Sequence, residues 1–427
     1  MKRALLKQIS NEWRDNIWLI IELAIVTIVI WFLIGIISPK LYALFQPMGV
    51  ADDYENVYVA TIKWLPEESP EFTDYGEDTS HNNLQDFRYL LNQLRNKPYI
   101  EAVGVNQNGF PFDFSAYNTS YRVAGSKDSI LYGTNQRYMS ADMVKVLGLE
   151  SLEGLSVEHL TEILERGETL LSNNFVYEYL GRKYSELVGK QLEYPYINEG
   201  EEPIIIPRVG ALIRAMPRSE LEYMLEGTII LPLDENSDED LSRAEYVAIR
   251  VKPGMGRMLE EDFRNNFSLS RLRNARLSEL HTLAQQRYLS QFVFIANLRL
   301  YISGICFMIF IIFLGLLGTF WFRVQQRTGE IALRKVTGAT SGDIVRRLIG
   351  EVLILFTIAV IIATVITVIL VKTSVISVYT DFDYWKITLI IPSIGTLLIM
   401  VVALMLGVWF PAIRAMRVQP AIALKEE

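Results

Sequence analysis

Four long apolar runs constrain this chain more than any other feature: residues 17–37, 300–322, 352–371 and 387–413. Only the first contains a charged residue, Glu22. A helix rises ~1.5 Å per residue, so about 20 such residues cover the roughly 30 Å of hydrocarbon in a bilayer. All four runs reach that length. A soluble enzyme, a disordered chain and a fibrous protein are thereby excluded. The first run is longer than the ~7–15 apolar residues of a signal-peptide core, and no small-residue cleavage site follows it, so it reads as a retained anchor.

Charge orients the spans. The chain holds 41 basic and 49 acidic residues, net −8. Residues 39–298 account for 25 of the basic and 39 of the acidic ones, net −14, which leaves 16 and 10, net +6, for the rest. Those basic residues fall where the positive-inside rule uses them. Lys2, Arg3, Lys7 and Arg14 precede the first span; Arg323, Arg327, Arg334, Lys335, Arg346 and Arg347 lie between the second and third; Arg414, Arg417 and Lys425 follow the fourth. With four spans, all three groups share one side. The expectation is a membrane protein with both termini cytoplasmic and the acidic segment outside. Tyr379, Tyr384 and Trp385 on the outer side, and Trp13, Trp18, Trp321 and Trp409 on the inner side, suit the two interfaces. The single cysteine, Cys306, lies within the second span, so the outer segment has no disulfide. Its acidity argues against nucleic acid as a ligand.

The predicted fold is a four-helix membrane protein in a 1+3 arrangement, with a large α+β extracytoplasmic domain between the first and second spans. Residues 1–16 read as a cytoplasmic amphipathic helix with Leu5, Leu6, Ile9 and Trp13 on one stripe, or else as a plain flanking anchor with no further role. The first span covers 17–38 and the periplasmic core 39–267. A polar stalk helix over 268–299 leads into the second span at 300–322. A cytoplasmic coupling loop occupies 323–351, the third span 352–371, a short periplasmic loop 372–386, the fourth span 387–413 and a cytoplasmic tail 414–427. Within the core, 57–64 alternates like a strand, 84–94 has helical spacing and 99–105 reads as a second strand, a β-α-β unit. Further strands are expected at 169–172, 187–194, 203–213 and 245–252, with a helix at 173–180. The acidic run 234–240 lacks the spacing of a calcium loop and reads as solvated.

Catalytic signatures are absent from the sequence. His81, His159 and His281 are too scattered to suggest a metal site. There is no nucleophile elbow. A phosphate-binding G-x-x-x-x-G-K-[ST] loop is also missing, so energy from ATP would have to come from another chain. Glu22 and Glu351 sit in or at the edge of the membrane near its inner boundary, where snorkelling or an arginine partner suffices; a proton relay is the sharper alternative. Gly315 and Gly318 suit close helix approach, and Pro392 is expected to kink the fourth span.

The inner loop, RTGEIALRKVTGATSGDIVRRLIGE over 327–351, reads as helix, turn, helix. Gly338 is a candidate helix stop, and Thr340-x-x-Asp343 a capping box for the next helix. Such an amphipathic element pinned between two spans makes a handle for a cytosolic partner, or else a connector lying on anionic lipid.

The pattern Arg327-x-x-Glu330-Ile331-x-x-Arg334-Lys335-x-x-Gly338-Ala339, followed by Ile344, Leu348 and Glu351, closely resembles the inner loop of MacB/FtsX-type ABC transporter permeases. The tail Pro411-Ala412-x-Arg414-Ala415-x-Arg417-x-x-Pro420-x-x-Ala423-Leu424 resembles that family's C-terminal signature. Segments 138–148, 167–181 and 188–190 echo its periplasmic core. Ala332 departs from the pattern where glycine is common, which would stiffen the loop. The resemblance implies a non-catalytic permease subunit that couples ATP hydrolysis in a separate cytosolic ATPase to movement of its periplasmic domain. Export or extraction of a substrate from the periplasm or outer leaflet is its expected task. Arg327, Glu330, Ile331, Arg334, Lys335, Gly338 and Ala339 would contact the ATPase. No cofactor is expected in this chain, ATP and magnesium being held by the partner. A second permease copy, identical or paralogous, is implied, and a periplasmic adaptor with an outer-membrane channel is left open. The alternative is an FtsX-like regulator whose motion activates a cell-wall hydrolase.

Overall fold

The computed structural model describes residues 13–45, 48–76, 82–113, 117–126, 130–172, 184–195, 203–216, 227–266, 270–326, 328–373 and 386–416. In chain order the elements are α1 (Trp13–Leu44), β1 (Val57–Trp64), α2 (Asn83–Arg95), β2 (Ile100–Gln107), β3 (Tyr117–Val123), β4 (Ile130–Met139), α3 (Met143–Leu147), α4 (Val157–Glu165) and β5 (Thr169–Ser172). Next come β6 (Leu192–Glu193), β7 (Ile205–Ile206), β8 (Val209–Ile213), β9 (Gly227–Pro232), α5 (Asp238–Ser242), β10 (Tyr246–Val251), α6 (Gly256–Asn265), β11 (Arg271–Leu272) and β12 (Ala275–Thr282). The chain finishes with α7 (Leu283–Gln326), α8 (Thr328–Val336), α9 (Ser341–Lys372) and α10 (Ile391–Met416). Two compact units result. One holds residues 1–40 and 296–427, the other residues 41–295.

In the sheet-rich unit, β1 and β2 are the first two strands of the expected β-α-β unit, but they do not pair. Strand β10 lies between them, antiparallel to both, which makes a split β-α-β. The path continues from β2 to β4, β3, β6 and β7, while β12 flanks β1 on the other side. Both faces of its centre are buried. Val103, Val247 and Ile249 pack under Phe87, Leu90, Leu91 and Leu94 of α2. Val59, Ala102 and Ala248 face Val144 and Leu147 of α3 and Leu160 and Leu164 of α4. Burial on both faces explains why β10 reads YVAIRV rather than a strict alternation.

Several sequence expectations need correction here. Residues 271–282 form the β11–β12 hairpin instead of the start of the 268–299 stalk helix. Ala275 and Leu277 are buried in the core over α2. Arg271 and Arg276, on the two strands of the hairpin, both pair with Glu71 of a turn, so polar residues that suggested a helix are held by an ion pair distant in sequence. The helix begins only at Leu283 and then runs without interruption for 44 residues. Residues 187–194 keep only a two-residue strand, preceded by a turn at Gly189 with φ +80°. The 203–213 strand is split into β7 and β8, with Pro207 between them. Strands β3, β4 and β9 were not anticipated. The expected helix at 173–180, and most of the 1–16 helix and the 372–386 loop, lie outside the described residues.

The other unit contains four helices long and apolar enough to cross a membrane among the described residues: α1, α7, α9 and α10. Their buried positions recur about every fourth residue, as in Leu19, Leu23 and Val26 of α1 or Met400, Leu404 and Val408 of α10. Together they form a single apolar core. Many other apolar side chains stay exposed, among them Phe307, Phe310, Ile361 and Leu398. Trp31 donates to the Ser393 hydroxyl at 3.1 Å, and Ser38 to the Ile387 carbonyl at 2.9 Å, tying α1 to the start of α10. A π-helical turn over Lys386–Ile390 precedes α10 and puts Pro392 in its first turn. That turn runs straight into α10, so Pro392 lies within a continuous helical segment, and its missing N–H falls where α-helical bonding gives way to the π turn. Pro411 lies deeper inside the same helix.

Candidate coupling element

Helix α8 lies between the end of α7 and the start of α9. The Thr328 hydroxyl donates to the carbonyls of Val324 and Gln325 at 3.0 and 2.7 Å, binding the first turn of α8 to the end of α7. At the other end Gly338 has φ +101°, a region that L residues rarely enter. The Gly338 amide donates to the Lys335 carbonyl and the Ala339 amide to the Arg334 carbonyl, at 3.1 and 2.9 Å. That pair of bonds is a Schellman stop. Two residues on, Thr340 and Asp343 form a complete capping box at the start of α9. The helix-stop-helix reading of the loop is therefore correct in detail.

This geometry sorts the sequence-predicted contact residues. Ile331 and Ala332 are buried, Ile331 within the helical core at 8% exposure. Ala332 uses its methyl as packing. Leu333 and Val336 are 56% and 62% exposed on the opposite side of α8. Two apolar residues two positions apart cannot share one helix face. Leu333 thus points away from Ile331, and with Val336 it supplies an apolar outer face that the expected contact residues do not include. Glu330 pairs with Arg334 at 2.6 Å along the helix and lies 3.9 Å from Arg347 of α9. Lys335 donates from Nζ to the Met416 carbonyl at 2.6 Å. Gly338 and Ala339 form the stop itself. Arg327 lies outside the described residues, as do Arg417, Pro420, Ala423 and Leu424 of the tail motif.

A cavity of about 160 Å³ opens between α8, the start of α9 and the end of α7. Its floor includes Val324, Ile331 and Leu348, and its rim Glu330, Arg334 and Arg347. Glu351 also lines it and is 2% exposed. Glu22 lies in α1 against Gly315 of α7, where a Cβ would stand 2.5 Å from its Oε1. Gly315 is therefore a close-approach glycine, whereas a Cβ on Gly318 would meet no atom within 4 Å.

Among its described residues the sheet-rich unit offers no comparable constellation. No group of three or more His, Cys, Asp or Glu suited to a metal occurs among the described residues. His159 lies 3.8 Å from Glu162, His281 contacts Gln286, and His81 is outside the described residues. The acidic run 234–240 is partly neutralised. Arg95 pairs with Glu235 at 2.7 Å and Arg88 with Asp238 at 2.6 Å.

Residues 302–420, which include α8 and its flanking helices, match the family described as FtsX-like permease C-terminal. That segment is an FtsX-like permease domain. Among solved structures, this chain is similar to the crystal structure of the periplasmic region of MacB from Actinobacillus actinomycetemcomitans. The identity is 11%, the TM-score 0.32, and the match covers 58% of this chain and 97% of that one. No curated protein matches the chain in sequence.

Proposed function

We propose that this permease is the membrane subunit of an ABC-type transporter, worked by a separate cytosolic ATPase that docks on α8. The observation that carries the reading is the exposed Leu333–Val336 face on a short helix fixed at both ends, within an FtsX-like permease domain. An apolar pair ringed by Arg334, Lys335 and Glu330 suits a groove whose floor is apolar and whose rim is charged. In this reading the chain lies in the bacterial inner membrane with α8 and both termini in the cytosol. Two copies pair, and closure of the ATPases on ATP displaces α8. Helix α7 then carries the displacement outward, its 44 residues reaching about 66 Å at ~1.5 Å each, well beyond the membrane. The substrate is a molecule of the periplasm or outer leaflet that need not pass between the spans.

Co-purification tests the docking. The double variant L333E/V336E should reach the membrane at the wild-type level yet retain less than a tenth of the ATPase subunit. Retention at the wild-type ratio would refute docking through α8.

A further inference from the structure

If α8 is the input, as the reading above holds, its displacement must pass to other helices, and the contacts around its C-terminal end bear on which. Along the chain α8 is followed by α9, through Gly338 and Thr340. Across 81 residues of sequence it is bonded to α10, because Lys335 donates to the Met416 carbonyl. That carbonyl belongs to the last turn of α10, where helix carbonyls lack partners and the helix dipole favours a cation. Two residues before Met416, the Arg414 guanidinium lies 3.8 Å from the centroid of the Trp321 ring of α7. Trp321 is also stacked on Phe410, one turn earlier in α10, with centroids 5.6 Å apart and planes 9° from parallel. The ends of α8, α10 and α7 are thus joined in series by one charge-assisted hydrogen bond, one cation–π contact and one ring stack.

We propose that Lys335, Arg414, Trp321 and Phe410 form a clamp that makes the inner ends of α7, α8 and α10 move as one body when the ATPase acts. All four are positioning residues. Lys335 has a structural task in addition to any contact with the ATPase, and the Arg414 of the tail motif acts on α7 rather than on the partner. Without the clamp, α8 would still dock, but its movement would separate α10 from α7.

The test uses the full permease with its ATPase in lipid nanodiscs, in a C306S background. Spin labels go on the exposed positions Leu314 of α7 and Leu406 of α10. With the clamp intact, the distance distribution between them should be the same without nucleotide and in the vanadate-trapped state. In R414Q and in W321L it should shift or broaden on trapping, with ATPase co-purification unchanged, and R414K should restore the wild-type behaviour. A shift already present with the clamp intact, or none in either variant, would overturn the proposal. So would loss of the ATPase from R414Q, since the residue would then belong to docking. A double-mutant cycle on the thermal midpoint of the permease alone, with R414Q and W321L, examines the contact without any ATPase. The account requires the pair to be non-additive, and additive effects would remove the clamp whatever becomes of the docking helix. Absence of ATPase from the otherwise wild-type permease would instead remove the docking reading, while a non-additive cycle would keep the contact.

Discussion

Thr340 and Asp343 cap the start of α9 reciprocally. The threonine hydroxyl accepts from the Asp343 amide at 3.2 Å, and the Asp343 carboxylate accepts from the Thr340 amide at 3.0 Å. Because the same turn ends the linker from α8, the cap fixes where α8 can lie. Replacing such a cap by alanine costs about 1 kcal/mol. T340A should lower the thermal midpoint of the purified protein, and T340S should restore it. An unchanged midpoint in T340A would show that the cap is not needed to hold the loop.

Gly338 separates conformational strain from steric fit. Its φ is +101°, yet a Cβ added there would meet no atom within 4 Å. The cost of G338A, about 1–2 kcal/mol, would come from backbone conformation alone. Thermal unfolding together with ATPase co-purification should show both the midpoint and the bound fraction reduced. A fully wild-type G338A would argue that the Schellman stop contributes little.

Glu22 and Gly315 form a pair whose terms are interdependent. A methyl group on Gly315 would stand 2.5 Å from Oε1 of Glu22 and 3.2 Å from its Cδ, so the carboxylate must move when alanine is introduced. G315A should lower the thermal midpoint, and E22A should recover part of the loss in the double variant. Equal effects of G315A with and without Glu22 would place the strain elsewhere.

Acid should act on the sheet-rich unit through Glu168. Its carboxylate accepts from Arg208 at 2.7 Å and lies 3.4 Å from Arg166, and the Arg208 hydrogen bond leads in holding its pKa below the usual 4.5. A carboxyl with a lowered folded pKa contributes stability that is present above its unfolded value and lost as pH falls through the folded one. The midpoint difference between wild type and E168Q should therefore shrink between pH 6 and pH 3. A difference independent of pH would contradict this linkage.

The four-helix unit of the fold was legible because its signal is one-dimensional. Twenty apolar residues need no partner to be read as a helix, and Gly338 and Thr340-x-x-Asp343 act through local geometry. The sheet-rich unit was harder because its strands answer to neighbours distant in sequence. Strand β4 carries Thr134, Asn135, Gln136 and Arg137 in succession, all buried, and no alternation rule reads such a run as a central strand. They are kept inside by contacts the sequence does not display, such as Gln136 with Tyr121 at 2.6 Å and Arg137 with the Phe110 carbonyl at 3.2 Å. The β11–β12 hairpin was hidden for a related reason, its arginines being matched by Glu71 some 200 residues away. At the coupling element the motif named the segment, while only the fold separated buried Ile331 from exposed Leu333 and Val336.

Photo-crosslinking from α8 tests the docking claim most directly. A photoreactive amino acid is placed singly at Leu333, Val336 or Ile331 of the full chain in cells, and adducts are identified by mass spectrometry. The account predicts adducts with an ABC-type ATPase from positions 333 and 336 and none from the buried position 331. Absence of ATPase adducts from both exposed positions, or labelling of a cysteine at Val336 by an impermeant reagent added outside intact cells, would contradict it.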